Sequence, residues 1–183
     1  RALPAVAGAD VSVGLPDAVM AVRIEERQPI LAWTVGETRY IADGVGRVFA
    51  TIAKGAELPA GVAIVDDRRA SADAMAIGTD LDAVDLDVAT RLGSLTPDDI
   101  GSTAQRLTVA VTESDGFVVV APGAWTAVFG FYSPATRPTD MIPAQVRLLR
   151  SLLEGREGSL LRIILASGTD GTYVPKPTPK ASR

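Results

Sequence analysis

Apolar and polar side chains alternate over much of the chain, a pattern that predicts many short strands rather than a few long helices. Residues 9–15 and 19–24 read as two strands joined by a turn at Gly14-Leu15-Pro16-Asp17. In the second, Met20, Val22 and Ile24 alternate with Ala21 and Arg23, the period of a half-buried strand. The charges Arg23, Glu25, Glu26 and Arg27, closed by Pro29, read as a solvated strand end or a joint between subdomains, with the solvated end favoured. Next, Ile30, Leu31 and Trp33 precede a turn at Gly36-Glu37, and Tyr40-Ile41 precede another at Asp43-Gly44. Val48, Ala50 and Ile52 then alternate again, so 30–53 is expected to be a small antiparallel meander. A loop from Leu58-Pro59 leads into a short apolar strand at 62–65.

Two stretches change period. Leu81, Val84, Val88, Leu92 and Leu95 recur at helical spacing, with Asp80, Asp82 and Asp85 near the start, where carboxylates favour the positive end of a helix. Val146, Leu149, Leu152 and Leu153 form a second stripe, opened by Pro143 and closed by Gly155. Between them, Thr96-Pro97-Asp98-Asp99 carries a capping-box pattern that predicts a short helix. Leu107, Val109 and Val111 then alternate, Ser114-Asp115-Gly116 turns the chain into Phe117, and a hairpin is expected. Trp125, Ala127, Phe129 and Phe131 predict a strand with one bulky, core-facing side. The stretch from Leu160 to Ala166 is an apolar strand, Gly168-Thr169-Asp170-Gly171 its turn, and Thr172-Tyr173-Val174 its partner. The Pro-rich run from Pro175 reads as an extended tail.

Composition narrows the chemistry. The 183 residues contain no histidine and no cysteine, which excludes Ser-His-Asp and Cys-His nucleophiles, disulfides and Cys/His zinc sites. A net charge of −4 lacks the footprint of a nucleic-acid binder, so no nucleic-acid partner is expected. No stretch approaches the roughly 20 apolar residues of a membrane span. The chain opens at Arg1-Ala2-Leu3-Pro4 without Met and reads as a fragment.

Candidate reactive groups do not assemble into a catalytic pattern. Gly44-Val45-Gly46 is not a dinucleotide loop, because the third glycine position falls on Phe49. Asp80, Asp82, Asp85 and Asp87 miss the EF-hand spacing at three positions, Val84, Asp85 and Arg91, so capping and a solvated face account for them. Asp66-Asp67-Arg68-Arg69 and Glu25-Glu26 offer carboxylates, but adjacent strand residues point to opposite faces, and surface ion pairs are the favoured reading. Tyr132 and Lys54 lie near no nucleophile motif. No catalytic residue, cofactor or metal ligand is assigned. The final strand is different: leading directly into the tail, it is placed either on a sheet edge open to a partner strand or under its own tail.

Several motifs resemble the FtsQ/DivIB family of cell-division proteins. They are Leu3-Pro4-Ala5-Val6, Gly14-Leu15-Pro16, and Glu26-Arg27-Gln28-Pro29 with Trp33. Tyr40-Ile41-Ala42-Asp43 with Gly46-Arg47-Val48-Phe49, then Leu58-Pro59, and Phe129-Gly130 before the last long helix, are similar to further runs of that family. The resemblance implies the end of a POTRA element at 1–28, an FtsQ/DivIB-like β domain at 29–174 and a tail at 175–183. It implies an extracytoplasmic region of a single-pass cell-membrane protein at the division septum. Such proteins are not enzymes; they bind FtsB/DivIC-like and FtsL-like partners and help regulate septal peptidoglycan synthesis, with the septal synthase a further partner. In this family the FtsB-type segment adds a strand to the final hairpin. The matching positions are Ile163, Leu165, Thr172, Tyr173 and Val174, and Ile164 stands where many relatives carry an aspartate.

The expected fold is therefore α+β, predominantly antiparallel, with main helices near 82–95 and 143–154 after a partial POTRA element. Two other readings are a carboxylate-dependent cell-wall glycan hydrolase and a POTRA-type module of a transport or assembly protein.

Overall fold

Strands β1 (Val6–Gly14) and β2 (Val19–Glu26) form a two-stranded hairpin, and the nine strands that follow share one sheet. The computed structural model describes residues 3–14 and 19–177, so the turn expected at 15–17 and the tail beyond 177 lie outside the described residues. The sheet strands are β3 (Leu31–Val35), β4 (Thr38–Ala42), β5 (Val48–Ala53), β6 (Ala63–Asp67), β7 (Thr108–Thr112), β8 (Gly116–Ala121), β9 (Trp125–Gly130), β10 (Leu160–Leu165) and β11 (Gly171–Pro175). Their spatial order is β11-β10-β9-β8-β7-β6-β3-β4-β5. Helices α1 (Ala83–Gly93) and α2 (Ile142–Leu153) complete an α+β fold.

The meander over β3–β5 and the β7–β8 hairpin form as the alternation predicts. The sheet as a whole is mixed, which corrects the expected antiparallel dominance. β3 pairs β6, β6 pairs β7 and β9 pairs β10 in parallel. Two of these pairs are bridged by the helices: α1 lies between β6 and β7 and α2 between β9 and β10. A parallel pair requires such a crossover to return the chain to the same end. Periodicity within a strand carries no information about the direction of its neighbour.

Both helices cover one face. The buried residues Val88, Ala89 and Leu92 of α1 and Leu149 and Leu153 of α2 share one core with Leu31, Trp33, Val65, Val109, Phe117, Val119, Phe129 and Ile163. Full burial of one such leucine contributes roughly 1.5–3 kcal/mol. Asp82 caps α1 by accepting from the Val84 and Asp85 amides at 2.9 and 3.2 Å. The capping box produces only a single 3-10 turn, Asp98–Ile100, in which Asp99 accepts from the Thr96 amide at 2.8 Å. Phe131 departs from expectation: β9 ends at Gly130, where φ is 91°, and Phe131 lies beyond it, 54% exposed.

Among the described residues, no helix covers the sheet's second face. A smaller apolar cluster of Ala110, Val118 and Val128 with Val120 lies there. The β1–β2 hairpin stands apart from the sheet. Its cross-strand pairs Ala9–Ile24, Val11–Val22 and Val13–Met20 place six apolar side chains on one face, since directly opposite residues share a face. The charge run after it is more than a solvated strand end. The Arg27 amide and Nε donate to the carbonyls of Ala5 and Pro4, and its guanidinium pairs with Asp43 of the meander turn. Burial opposes ionisation of Asp43, but Arg27 and the Arg47 and Val45 amides outweigh it and hold the carboxyl below its ordinary pKa. Arg27 is thus the joint between hairpin and sheet.

Candidate docking edge

β11 is one of the two outermost strands, bonded on one side to β10. In its register Ile163 faces Tyr173, Arg162 faces Val174 and Ile164 faces Thr172. The Lys176 amide donates to the Ser159 carbonyl at 2.7 Å. An antiparallel ladder alternates, so the Val174 and Thr172 amides also turn toward β10, and those of Tyr173 turn outward. Among the described residues the free edge is therefore the N–H and C=O of Tyr173 with the carbonyls of Gly171 and Pro175. Pro175 supplies no outward donor.

The five residues singled out by sequence divide between two strands and two roles. Ile163 and Leu165 are fully buried on β10, against the helix side, and offer no outward backbone. Thr172, Tyr173 and Val174 are exposed on β11. Tyr173 shares the helix-side face with Ile163, and the Arg156 guanidinium lies 5.6 Å from its ring centroid. Val174 and Thr172 share the open face with Arg162 and Ile164.

The turn before β11 is held tightly. Ser167 Oγ accepts from the Asp170 and Thr169 amides at 3.0 and 3.2 Å. A Cβ on Gly168 would lie 2.5 Å from that of Ala144 in α2, so only glycine fits this approach. At the end of β10, Arg137 donates to the carbonyls of Ala166 at 2.7 Å and Phe129 at 2.6 Å. Buried Gln145 donates to the Leu165 carbonyl at 3.0 Å and accepts from the Tyr132 hydroxyl at 2.6 Å. Burial, partly offset by Arg137, pushes the Tyr132 hydroxyl above its ordinary pKa. The sequence reading missed Gln145, taking the stripe as Val146, Leu149, Leu152 and Leu153, although Ile142, Gln145 and Leu149 also fall on one helical stripe.

A second cluster corrects the reading of Asp66-Asp67-Arg68-Arg69 as surface ion pairs. Asp66 and Arg68 do pair at the surface, at 2.9 Å. Asp67 is buried, accepts the Trp33 indole N–H at 2.9 Å and pairs with Arg69 at 2.8 Å. Arg69 also pairs with Asp85 at 2.8 Å, tying β6 to α1. The bond to Asp67, supported by Asp85, raises the Arg69 pKa, whereas burial raises that of Asp85 against the pull of Arg69. Strand parity held the signal, because Ala63, Val65 and Asp67 share one face. The other acids of this region diverge: Asp80 pairs with Arg47 at 2.9 Å and Asp87 with Arg91 at 2.8 Å. No group of three or more acids is gathered as metal ligands would be among the described residues.

Glu157 is a third polar centre that sequence reasoning missed, and nothing in its local pattern signals it. Its carboxylate accepts from the Ser102 hydroxyl, the Trp125 indole at 2.9 Å and the Thr103 amide at 2.9 Å. Burial works against the charge, yet these donors hold its pKa down to about 2. No helix among the described residues is long and apolar enough to cross a membrane. In comparison with known proteins, no family model matches the chain and no curated protein is significantly similar to it.

Proposed function

We propose that this chain is a non-catalytic scaffold of the bacterial division machinery, an FtsQ/DivIB-type outer domain that accepts an FtsB/DivIC-like strand along β11. The observation that carries this reading is the outward-facing backbone of Tyr173 on an outermost strand whose turn is fixed to α2. Strand addition needs a free edge more than it needs particular side chains. The family motifs from Leu3-Pro4 to Leu58-Pro59 support the assignment. FtsL-like proteins and the septal synthase are further partners under this reading, and the domain works at the outer face of the cell membrane. Under this reading residues 1–28 are the partial POTRA element and residues 29–174 the β domain.

The test is titration calorimetry of the chain with the outer segment of the FtsB/DivIC-like protein from the same organism. Saturable binding lost in Tyr173→Pro but kept in Tyr173→Val supports docking at this edge. Absence of binding by the folded chain counts against it.

One observation favours the hydrolase reading. Asp67 and Asp85 approach the same Arg69 nitrogen, at 2.8 Å each, beside a cavity of about 300 Å³. The guanidinium occupies the space between them, whereas glycosidic chemistry needs one acid protonated and the pair open to substrate. Release of reducing sugar from purified peptidoglycan, abolished by Asp85→Asn, would favour that reading over the scaffold.

A further inference from the structure

Away from β11, beyond β8–β10, a groove of about 480 Å³ opens beside β3, β6 and β7. Its charged lining is Arg39, Lys54, Arg68 and Arg106 against the single carboxylate of Asp66, a formal charge of +3 in a chain of −4. Asp66 is already engaged by Arg68 at 2.9 Å and lies 4.0 Å from the Lys54 ammonium. Neither Arg39 nor Arg106 forms an ion pair among the described residues. The Arg39 Nη1 donates to the Ala56 carbonyl at 2.9 Å, but its buried Nε has no hydrogen-bond partner. Charge-assisted bonds from guanidinium and ammonium groups to an oxyanion are the strong ones, so an oxyanion is the chemistry that this basic lining favours.

We propose that this groove binds a small organic phosphate. Two unpaired guanidiniums and an ammonium match a doubly charged group with several acceptor oxygens better than a lone carboxylate. The volume lies in the range of small-molecule sites and exceeds what a bare phosphate ion fills. The local charge favours a discrete ligand over a long polyanion, because the rest of the chain is acidic and repels an extended polymer. The same phosphate chemistry could be presented free in solution or as a lipid headgroup, and the proposal is independent of the docking reading of β11.

The probe is glycerol 3-phosphate, titrated at constant ionic strength near 0.15 M and followed by nuclear magnetic resonance of the Arg side-chain Nε–H signals. Saturation with a shift of the Arg39 signal is expected, weakened about tenfold or more in Arg106→Met, the exposed position, and likewise in Arg39→Met. A parallel arm uses vesicles of phosphatidic acid, a phosphate monoester, against phosphatidylcholine. Binding confined to the phosphatidic acid vesicles, and lost in the same variants, keeps the site and assigns its source to lipid. No saturable response in either arm overturns the proposal. So does binding that neither substitution changes, because Arg106→Met leaves the fold's packing untouched.

Discussion

The Trp125 indole N–H donates to the Glu157 carboxylate at 2.9 Å, joining the start of β9 to the turn that follows α2. Ser102 and Thr103 donate to the same carboxylate, so one side chain closes three segments. Its pKa of about 2 lies below the ordinary carboxylate value, so the bonded anion stabilises the fold above the unfolded-state pKa. That contribution is lost as pH falls from about 4.5 toward 2. Glu157→Gln should cost about 1–3 kcal/mol at pH 7 and progressively less on acidification. Urea unfolding at a series of pH values measures this; a gap between the two proteins that stays constant down to pH 2.5 contradicts it.

Asp67 and Asp85 share Arg69 but differ in burial, so their removal should differ. Asp67→Asn leaves a guanidinium short of its buried partner and should cost about 3 kcal/mol. Asp85 is more exposed, and Asp85→Asn should cost about 1 kcal/mol. Equal losses in chemical denaturation would show that Trp33 and Asp67 do not anchor the cluster.

Gly93 closes α1 against β6, and a Cβ there would sit 2.6 Å from that of Ala63. In an open helix, replacing glycine by alanine stabilises by up to about 1 kcal/mol. At this contact the sign reverses, and Gly93→Ala should destabilise by about 1–3 kcal/mol. The double variant Gly93→Ala with Ala63→Gly should recover part of the loss. Thermal unfolding of the three proteins checks the coupling, and simple additivity argues against a steric cause.

Tyr173→Pro removes the outward donor of β11, while Val174→Pro removes an inward one. Tyr173→Pro should therefore weaken strand docking about tenfold or more with little change in stability. Val174→Pro should instead loosen the β10–β11 ladder itself. Calorimetric affinities beside melting temperatures separate the two; the opposite ranking reverses the assigned direction of the edge.

The local elements were legible because their causes are local. Leu81, Val84, Val88 and Leu92 announced α1, and Pro143 with Leu149 and Leu153 announced α2. Strand direction was not legible, since the pairing of β3 with β6 depends on a crossover and not on residues within either strand. At the candidate edge, sequence placed Tyr173 and Val174 on one strand but could not assign their backbone groups, which depend on the register with β10. The polar centres were hidden for a related reason. Asp67 and Glu157 look like ordinary surface acids until Trp33 and Trp125 are brought to them from 34 and 32 residues away.

The parallel pairs occupy inner positions of the sheet, and both of its outer strands belong to antiparallel connections. The parallel pairings join residues distant in sequence and lock the inner strands together, whereas an outer strand such as β11 can detach without disturbing them. Amide hydrogen exchange should follow that gradient. The Thr172 and Val174 amides should exchange through local opening, much faster than those of Val119 or Ala127, which require global unfolding. A strand laid along Tyr173 would close this opening, so slowed exchange at Thr172 and Val174 is how an occupied edge would announce itself, even to an observer who never sees the partner.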